Sequence, residues 1–185
     1  ATAVGTLNQP TALNVLMNSN NVKCFGTATG TVSASGTGGT APYTYFWPAL
    51  SSTLSTVNNV AVGNYTCNVT DNNGCTVSQS ITVTEPTAIT ITSTVTAANC
   101  GQSNGSATIT ASGGSSAYTY TWSTGSNSTV LGPVAAGTYT VLVKDANNCT
   151  QTLAVTIPNL AGPTAAITSQ TNVSWFGSNN GTAVV

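Results

Sequence analysis

The sequence predicts an all-β chain of tandem sandwich repeats, about 76 residues each, stacked as an elongated rod; three observations carry this. First, one stretch occurs twice. Tyr43–Cys75 and Tyr118–Cys149 both open on Y-T-Y-x-W and close on G-x-Y-T-x-x-V-x-D-x-N-x-C. Trp47 and Trp122 stand 75 residues apart, and Tyr65/Tyr139, Asp71/Asp145 and Cys75/Cys149 each stand 74 apart. A fixed period of this kind is the signature of a repeat architecture. Second, the repeated stretches alternate with period two. Tyr43, Tyr45 and Trp47 fall on one face with Thr44 and Phe46 on the other, and Tyr139, Val141 and Val143 alternate with Thr140 and Leu142. Aromatic and β-branched residues at that spacing predict half-buried strands. Third, Pro10, Pro86 and Pro163 recur at intervals of 76 and 77, and each is followed by Thr-Ala.

Taken in order, residues 1–9 read as the last strand of a preceding repeat, because Q-P-T-A at 9–12 matches E-P-T-A at 85–88. Residues 10–85 and 86–161 read as two complete repeats, and 162–185 as the start of a third. Each opens with a strand and a loop that ends in glycine, at Gly30, Gly105 and Gly181. The next strand follows, with Ala107, Ile109 and Ala111 on one side. G-T-G-G-T-A-P and S-G-G-S-S-A then turn the chain into the Tyr/Trp strand. An irregular Ser/Thr/Asn stretch leads to the strands of Tyr65 and Tyr139. D-N-N-G-C and D-A-N-N-C close hairpins there, since Asn and Gly accept positive φ. That makes about seven strands per repeat. Neither residues 1–9 nor the third copy can bury a core alone, so the sequence reads as a window on a longer array.

Seven short strands with one aromatic strand and no helical period predict an immunoglobulin-like (PKD-like) sandwich. Trp47 and Trp122 are the expected core tryptophans of the third strand. Tyr65 stands where a tyrosine corner belongs, and Tyr139 is expected in the core of the second repeat. Cys67 lies two residues after Tyr65, but the facing strand Thr31–Ser35 holds no cysteine and Val141 takes the equivalent place, so Cys67 reads as a small apolar core residue.

Composition removes several classes of function. Only 3% of the chain is charged, as Lys23, Lys144, Asp71, Glu85 and Asp145, while 40% is hydrophobic. That is a folded chain with a neutral hydroxyl and amide surface rather than a disordered one. A net charge of −1 gives no footprint for nucleic acid. No run approaches the roughly 18 apolar residues of a membrane span, and no signal peptide stands at Ala1, so the N-terminus reads as mature or internal. Without histidine, a Ser–His–Asp or Cys–His arrangement cannot be built, and no catalytic residue is expected. Asp71 and Asp145 sit singly at equivalent turns and read as caps. Calcium wants several carboxylates, so no metal or cofactor site is expected. The glycine pairs match no phosphate cradle.

Five cysteines, four of them at repeat positions, point to an oxidising, extracellular setting. Cys24, Cys75, Cys100 and Cys149 are the expected disulfide cysteines. Pairing Cys24 with Cys75 and Cys100 with Cys149 is the favoured scheme, because it strands none of the four. In a sandwich, however, the loop after the first strand and the turn before the last lie at opposite ends. The alternative joins Cys24 to Cys149, stapling neighbouring repeats.

The combined pattern C-x-G…G-T-V…G-G-T-A-P-Y-T-Y-x-W…A-G-T-Y-T-V-x-V-x-D-x-N-x-C, carried here by Cys24–Cys75 and Cys100–Cys149 and begun again at Trp175–Val185, resembles the SprB-type repeat of Bacteroidetes surface adhesins. The resemblance implies long, extracellular cell-surface proteins exported by the type IX secretion system, the best-known members being moved along the surface during gliding. The departure is Trp175, which stands where the first two copies have Cys24 and Cys100. A structural stalk for attachment and gliding is the function this implies. Its partners would be neighbouring repeats and the cell-surface motility or secretion machinery. The alternative is direct binding of glycan, another surface or ice by a Thr/Ser/Asn-rich face, for which Thr92, Thr94 and Thr96 give period-two spacing.

Overall fold

Burial alternates along the strands as the sequence does. In Gly30–Thr37 the buried positions are Gly30, Val32 and Ala34, and in Gly63–Thr70 they are Tyr65, Cys67 and Val69. The computed structural model describes residues 9–184; the strand expected over 1–9 lies, but for its last residue, outside the described residues. The first sandwich contains β1 (Asn14–Asn20), β2 (Gly30–Thr37), β3 (Thr44–Phe46), β4 (Thr56–Val60), β5 (Gly63–Thr70) and β6 (Thr76–Val83). One sheet has the order β1-β2-β4 and the other β3-β5-β6, all antiparallel.

The second sandwich repeats the plan. It contains β7 (Thr90–Thr96), the two-residue β8 (Ala98–Asn99), β9 (Gly105–Ser112), β10 (Thr119–Trp122), β11 (Val130–Val134), β12 (Gly137–Lys144), β13 (Thr150–Ile157) and β14 (Asn159–Leu160). Its sheets are β7-β9-β11 and β10-β12-β13, and β14 pairs with β8 in parallel. A last pair, β15 (Ser169–Thr171) and β16 (Thr182–Val184), is antiparallel and exposed throughout.

The architecture is an immunoglobulin-like sandwich in tandem, with one difference from expectation. Six strands, not about seven, make each pair of sheets. The irregular Ser/Thr-rich stretch after the tryptophan begins with a turn before it extends into β4 or β11. There the chain turns back at once through a 3-10 turn at Pro48–Leu50, with Ser51 at φ 47° and a bridge from Trp47 to Ser52. In the second copy Gly125, at φ 86°, makes the same reversal, with Trp122 N–H donating to Ser126 O. Pro48 and Gly125 favour a turn directly after each tryptophan, and the chain extends again only at Thr56 and Val130.

Two separate cores result. Trp47, Val32, Val69 and Val83 are fully buried in the first, and Trp122, Val141, Val143 and Ile157 in the second. Each tryptophan has its one polar atom satisfied: Nε1 donates to Leu54 O in the first copy and to Ser128 O in the second, both at 2.9 Å. Tyr65 is buried, with its hydroxyl donating to Ala61 O at 2.9 Å, and Tyr139 is half-buried, donating to Ala135 O at 3.0 Å. Those bonds, four residues back along the chain, tie each corner to the start of its own strand. Cys67 is buried without a disulfide partner. Burial pushes its thiol up, opposed by a hydrogen bond with the backbone of Phe46, as fits an inert core residue.

Candidate functional site: the junction between repeats

The first sandwich ends where its β1–β2 loop grips the outgoing chain. Val22 N–H donates to Thr84 O at 2.9 Å, Thr84 N–H donates to Asn21 Oδ1 at 3.0 Å, and Gly26 N–H donates to Glu85 Oε2 at 2.7 Å. Three residues after Thr84 the second sandwich takes hold, with Gly114 N–H donating to Thr87 O at 2.8 Å. The linker is thus bonded to one module or the other at 84, 85 and 87. Close packing enforces the arrangement. Gly113 has φ +77°, and a Cβ there would lie 2.0 Å from Ala88 O, so only glycine lets the linker lie down on this turn.

Asp145 organises the top of the second sandwich. Its Oδ1 accepts from Asn147 N–H at 2.9 Å and Cys149 N–H at 2.8 Å, and its Oδ2 accepts from Ser115 N–H at 2.9 Å. Asp71 repeats the set with Asn73 at 2.9 Å, Cys75 at 2.8 Å and Thr40 at 3.0 Å. Desolvation pushes both carboxyls up, but the three backbone N–H groups aimed at each outweigh it and hold both below the usual aspartate range. The carboxylate stitches two turns into one rigid cap. That cap carries Asn147, whose Nδ2 donates both to Ser115 Oγ at 2.7 Å and, across the junction, to Lys23 O at 3.1 Å.

The covalent contact is the decisive one. Cys24 is bonded to Cys149, with Cα atoms 5.5 Å apart, and Cys75 and Cys100 are free and exposed. The favoured pairing of Cys24 with Cys75 and Cys100 with Cys149 is therefore corrected: the bridge runs between repeats. The reason is distance. The Cys24 loop is clamped at the Thr84 end of β6, and Cys75 precedes the Thr76 end. The eight residues of β6 hold those ends roughly 25 Å apart at about 3.3 Å per residue, whereas a bridge needs Cα atoms within about 7 Å. No wrapping of β1 shortens that span.

Beside the bridge lies a half-open cleft of about 410 Å³, lined on one side by Phe25 and Thr27 and on the other by Pro86, Ile89, Asp145 and Gln151. Phe25 is 57% exposed. The cleft holds no convergent set of polar groups, because the Asp145 oxygens are already spent on backbone donors. Among the described residues no group of three or more His, Cys, Asp or Glu gathers to hold a metal, and no helix is long and apolar enough to cross a membrane.

The second candidate surface is the outer face of the β7–β9 pair. Thr90, Thr92, Thr94 and Thr96 stand opposite Ser112, Thr110, Thr108 and Ser106 in register, giving two facing rows of hydroxyls. The four threonines are exposed. The other sheets carry shorter versions, with hydroxyl pairs at Thr66/Ser80 (2.8 Å) and Thr138/Thr156 (3.0 Å).

The turn aspartates give a pH test. A carboxyl whose folded pKa is depressed stabilises the fold above its unfolded value, about 3.9, and that contribution is lost as pH falls through the folded value. The chain has only three carboxylate side chains, so acid unfolding should report these two caps. Asp145→Asn is expected to lower the thermal midpoint at pH 7, because one amide oxygen cannot serve three donors facing two oxygens. It should also flatten the decline below about pH 4. Thermal melts of both proteins from neutral to acid pH check this, and parallel curves would remove the caps from the account.

The SprB repeat family model matches this chain twice, over residues 17–49 and 92–127. These segments hold part of the first strand, the loop cysteine and the aromatic strand of each sandwich. No curated protein matches. Among solved structures, the N-terminal eight immunoglobulin domains of Down Syndrome Cell Adhesion Molecule (DSCAM) align with 82% of this chain and 25% of that one, at 14% identity and TM-score 0.39. A second structure, solved for Dscam isoform specificity, aligns with 82% of this chain and 46% of its own, at 12% identity and TM-score 0.33. The amphioxus IgVJ-C2 molecule aligns over 82% and 98% respectively, at 13% identity and TM-score 0.33. The chain thus spans a quarter of the first of these and less than half of the second.

Proposed function

We propose, for a chain that carries two SprB repeats, that it is a length of semi-rigid stalk in a cell-surface adhesin, holding an adhesive part away from the cell during attachment and gliding. The observation that carries this reading is the junction. Three residues separate backbone anchors on two modules, and a disulfide closes the same joint. A flexible tether would be longer and rich in Gly and Ser. Repeats that touch only their neighbours, through an interface this short, stack into a rod. The extracellular setting fits an oxidised bridge, and export by the type IX system with hand-over to surface motility machinery is the corresponding route.

A second reading rests on the hydroxyl rows of β7 and β9. In it the array itself binds glycan or another surface through neutral hydroxyls. Two measurements on the 185-residue chain separate the readings. Small-angle scattering under oxidising conditions is expected to give an extended profile, roughly 70 Å long from two strand lengths of about 27 Å plus loops. Glycan-array binding is expected at background level. A coil-like or compact profile would sink the stalk, and saturable binding abolished by Thr92→Val with Thr94→Val would put the hydroxyl face in its place.

A further inference from the structure

Two cysteines are left over, and they are not equivalent to each other. Cys75 occupies the place in the first sandwich that Cys149 occupies in the second, as the last residue of a turn built on an aspartate whose Oδ1 takes its N–H at 2.8 Å. Cys100 occupies the place of Cys24, in the loop after a first strand. That loop grips the outgoing chain in the same way: Ala98 N–H donates to Pro158 O at 2.9 Å, as Val22 donates to Thr84 O, and Cys100 N–H itself donates to Leu160 O at 2.9 Å. Each leftover thiol is therefore one half of the bridge already made between Cys24 and Cys149, one from the turn side and one from the loop side.

We propose that Cys75 and Cys100 are bridge sites for adjoining repeats of the same kind. Cys75 accepts the loop cysteine of a repeat stacked above, and Cys100 the turn cysteine of a repeat stacked below. Three further observations place them there. Both thiols are exposed, while Cys67 is buried. The incoming third segment passes directly by Cys100, since a Cβ on Gly162 would lie 3.2 Å from its Sγ. At the other end Asn73 keeps the docking geometry of Asn147. Its Nδ2 donates to Thr40 Oγ1 at 2.9 Å, as Asn147 donates to Ser115 Oγ, which leaves the second N–H to play the part Asn147 plays toward Lys23 O.

The inference rests on the stalk reading and deepens it: the joints of the rod are covalent, and their polarity is fixed, turn to loop. Trp175 stands in place of the loop cysteine in the third copy, so that copy cannot offer the loop half of such a bridge. Each bridge forms by thiol–disulfide exchange with a small external disulfide. One thiolate attacks it and releases a small thiol. The second cysteine then attacks the mixed disulfide and releases another, so two protein thiols are oxidised while one small disulfide becomes two thiols.

A second copy of the chain serves as the probe for an adjoining repeat. Cys75→Ser and Cys100→Ser are prepared separately, each keeping the Cys24–Cys149 bridge, and are incubated alone and mixed in oxidised and reduced glutathione. Non-reducing electrophoresis and peptide mapping read the products. Turn-to-loop docking raises the effective concentration of the matching pair, so the mixture is expected to give a Cys75–Cys100 dimer about tenfold above either homodimer. Homodimers in the statistical proportion, or no cross-linked species at all, would overturn the proposal. Either result leaves the scattering test of the existing joint untouched, so failure here is distinguishable from failure of the stalk.

Discussion

Replacing Trp122 with alanine is expected to cost about 3–5 kcal/mol and to unfold the second sandwich without unfolding the first. The indole fills the space between the two sheets, exposed to only 2%. Around it lie Val141, Val143, Leu131 and Ile157, and no smaller side chain can close that gap without moving a strand. The change also removes the hydrogen bond from the indole Nε1 to Ser128 O, which ties the loop after the strand to the core. A module of this size has a total stability of the same order. The two buried clusters share no residue, so calorimetry should show one transition lowered or lost and the other nearly in place. Trp47→Ala should give the mirror result. If the Trp122 variant melts as the parent does, the residue is exposed in solution and a ligand-stacking role becomes the better account.

The same residues show how much was legible beforehand. Period-two alternation found the faces of β3, β9, β10 and β12, because burial on one side of a pleat imposes that period locally. The tyrosine corner at Tyr65 and the turn aspartates were legible too, since each acts within a few residues of its own position. What was not legible depended on length and distance. The stretch after Trp47, which its composition marked only as irregular, turns at Pro48–Leu50 and then extends as β4. The cysteine pairing turned on the rise of one strand: counting alone joined Cys24 to Cys75, while the eight residues of β6 hold them at opposite ends of a module. The docking donor Asn147 gave no sequence signal at all. Its role depends on Lys23, 124 residues away, being carried to the same joint.

That joint is the subject of the second large effect. Cys149→Ser is expected to destabilise the chain by up to about 5 kcal/mol in the chain-entropy account, because the bridge closes a loop spanning 125 residues. The figure is an upper bound here, since the loop runs through two modules with separate cores, and one folded module already restricts most of it. The loss should therefore be unequal. The first module to unfold still feels the tether through its folded neighbour and loses little when the bridge is cut; the last to unfold loses most. Without the bridge, the joint keeps the anchors at Thr84, Glu85 and Thr87 and the bond from Asn147 to Lys23 O, so the scattering profile should broaden toward a bent population. Cys24→Ser should match it in both respects, since either change cuts the same bond. Cys75→Ser is the internal control for the fold: its thiol is exposed and lies outside the Cys24–Cys149 bridge, so it should leave the melting transitions in place. Thermal melts and scattering of the three variants decide the matter. Unchanged transitions and an unchanged envelope in Cys149→Ser would mean that the backbone anchors alone set the joint, and that the bridge records proximity without adding stiffness.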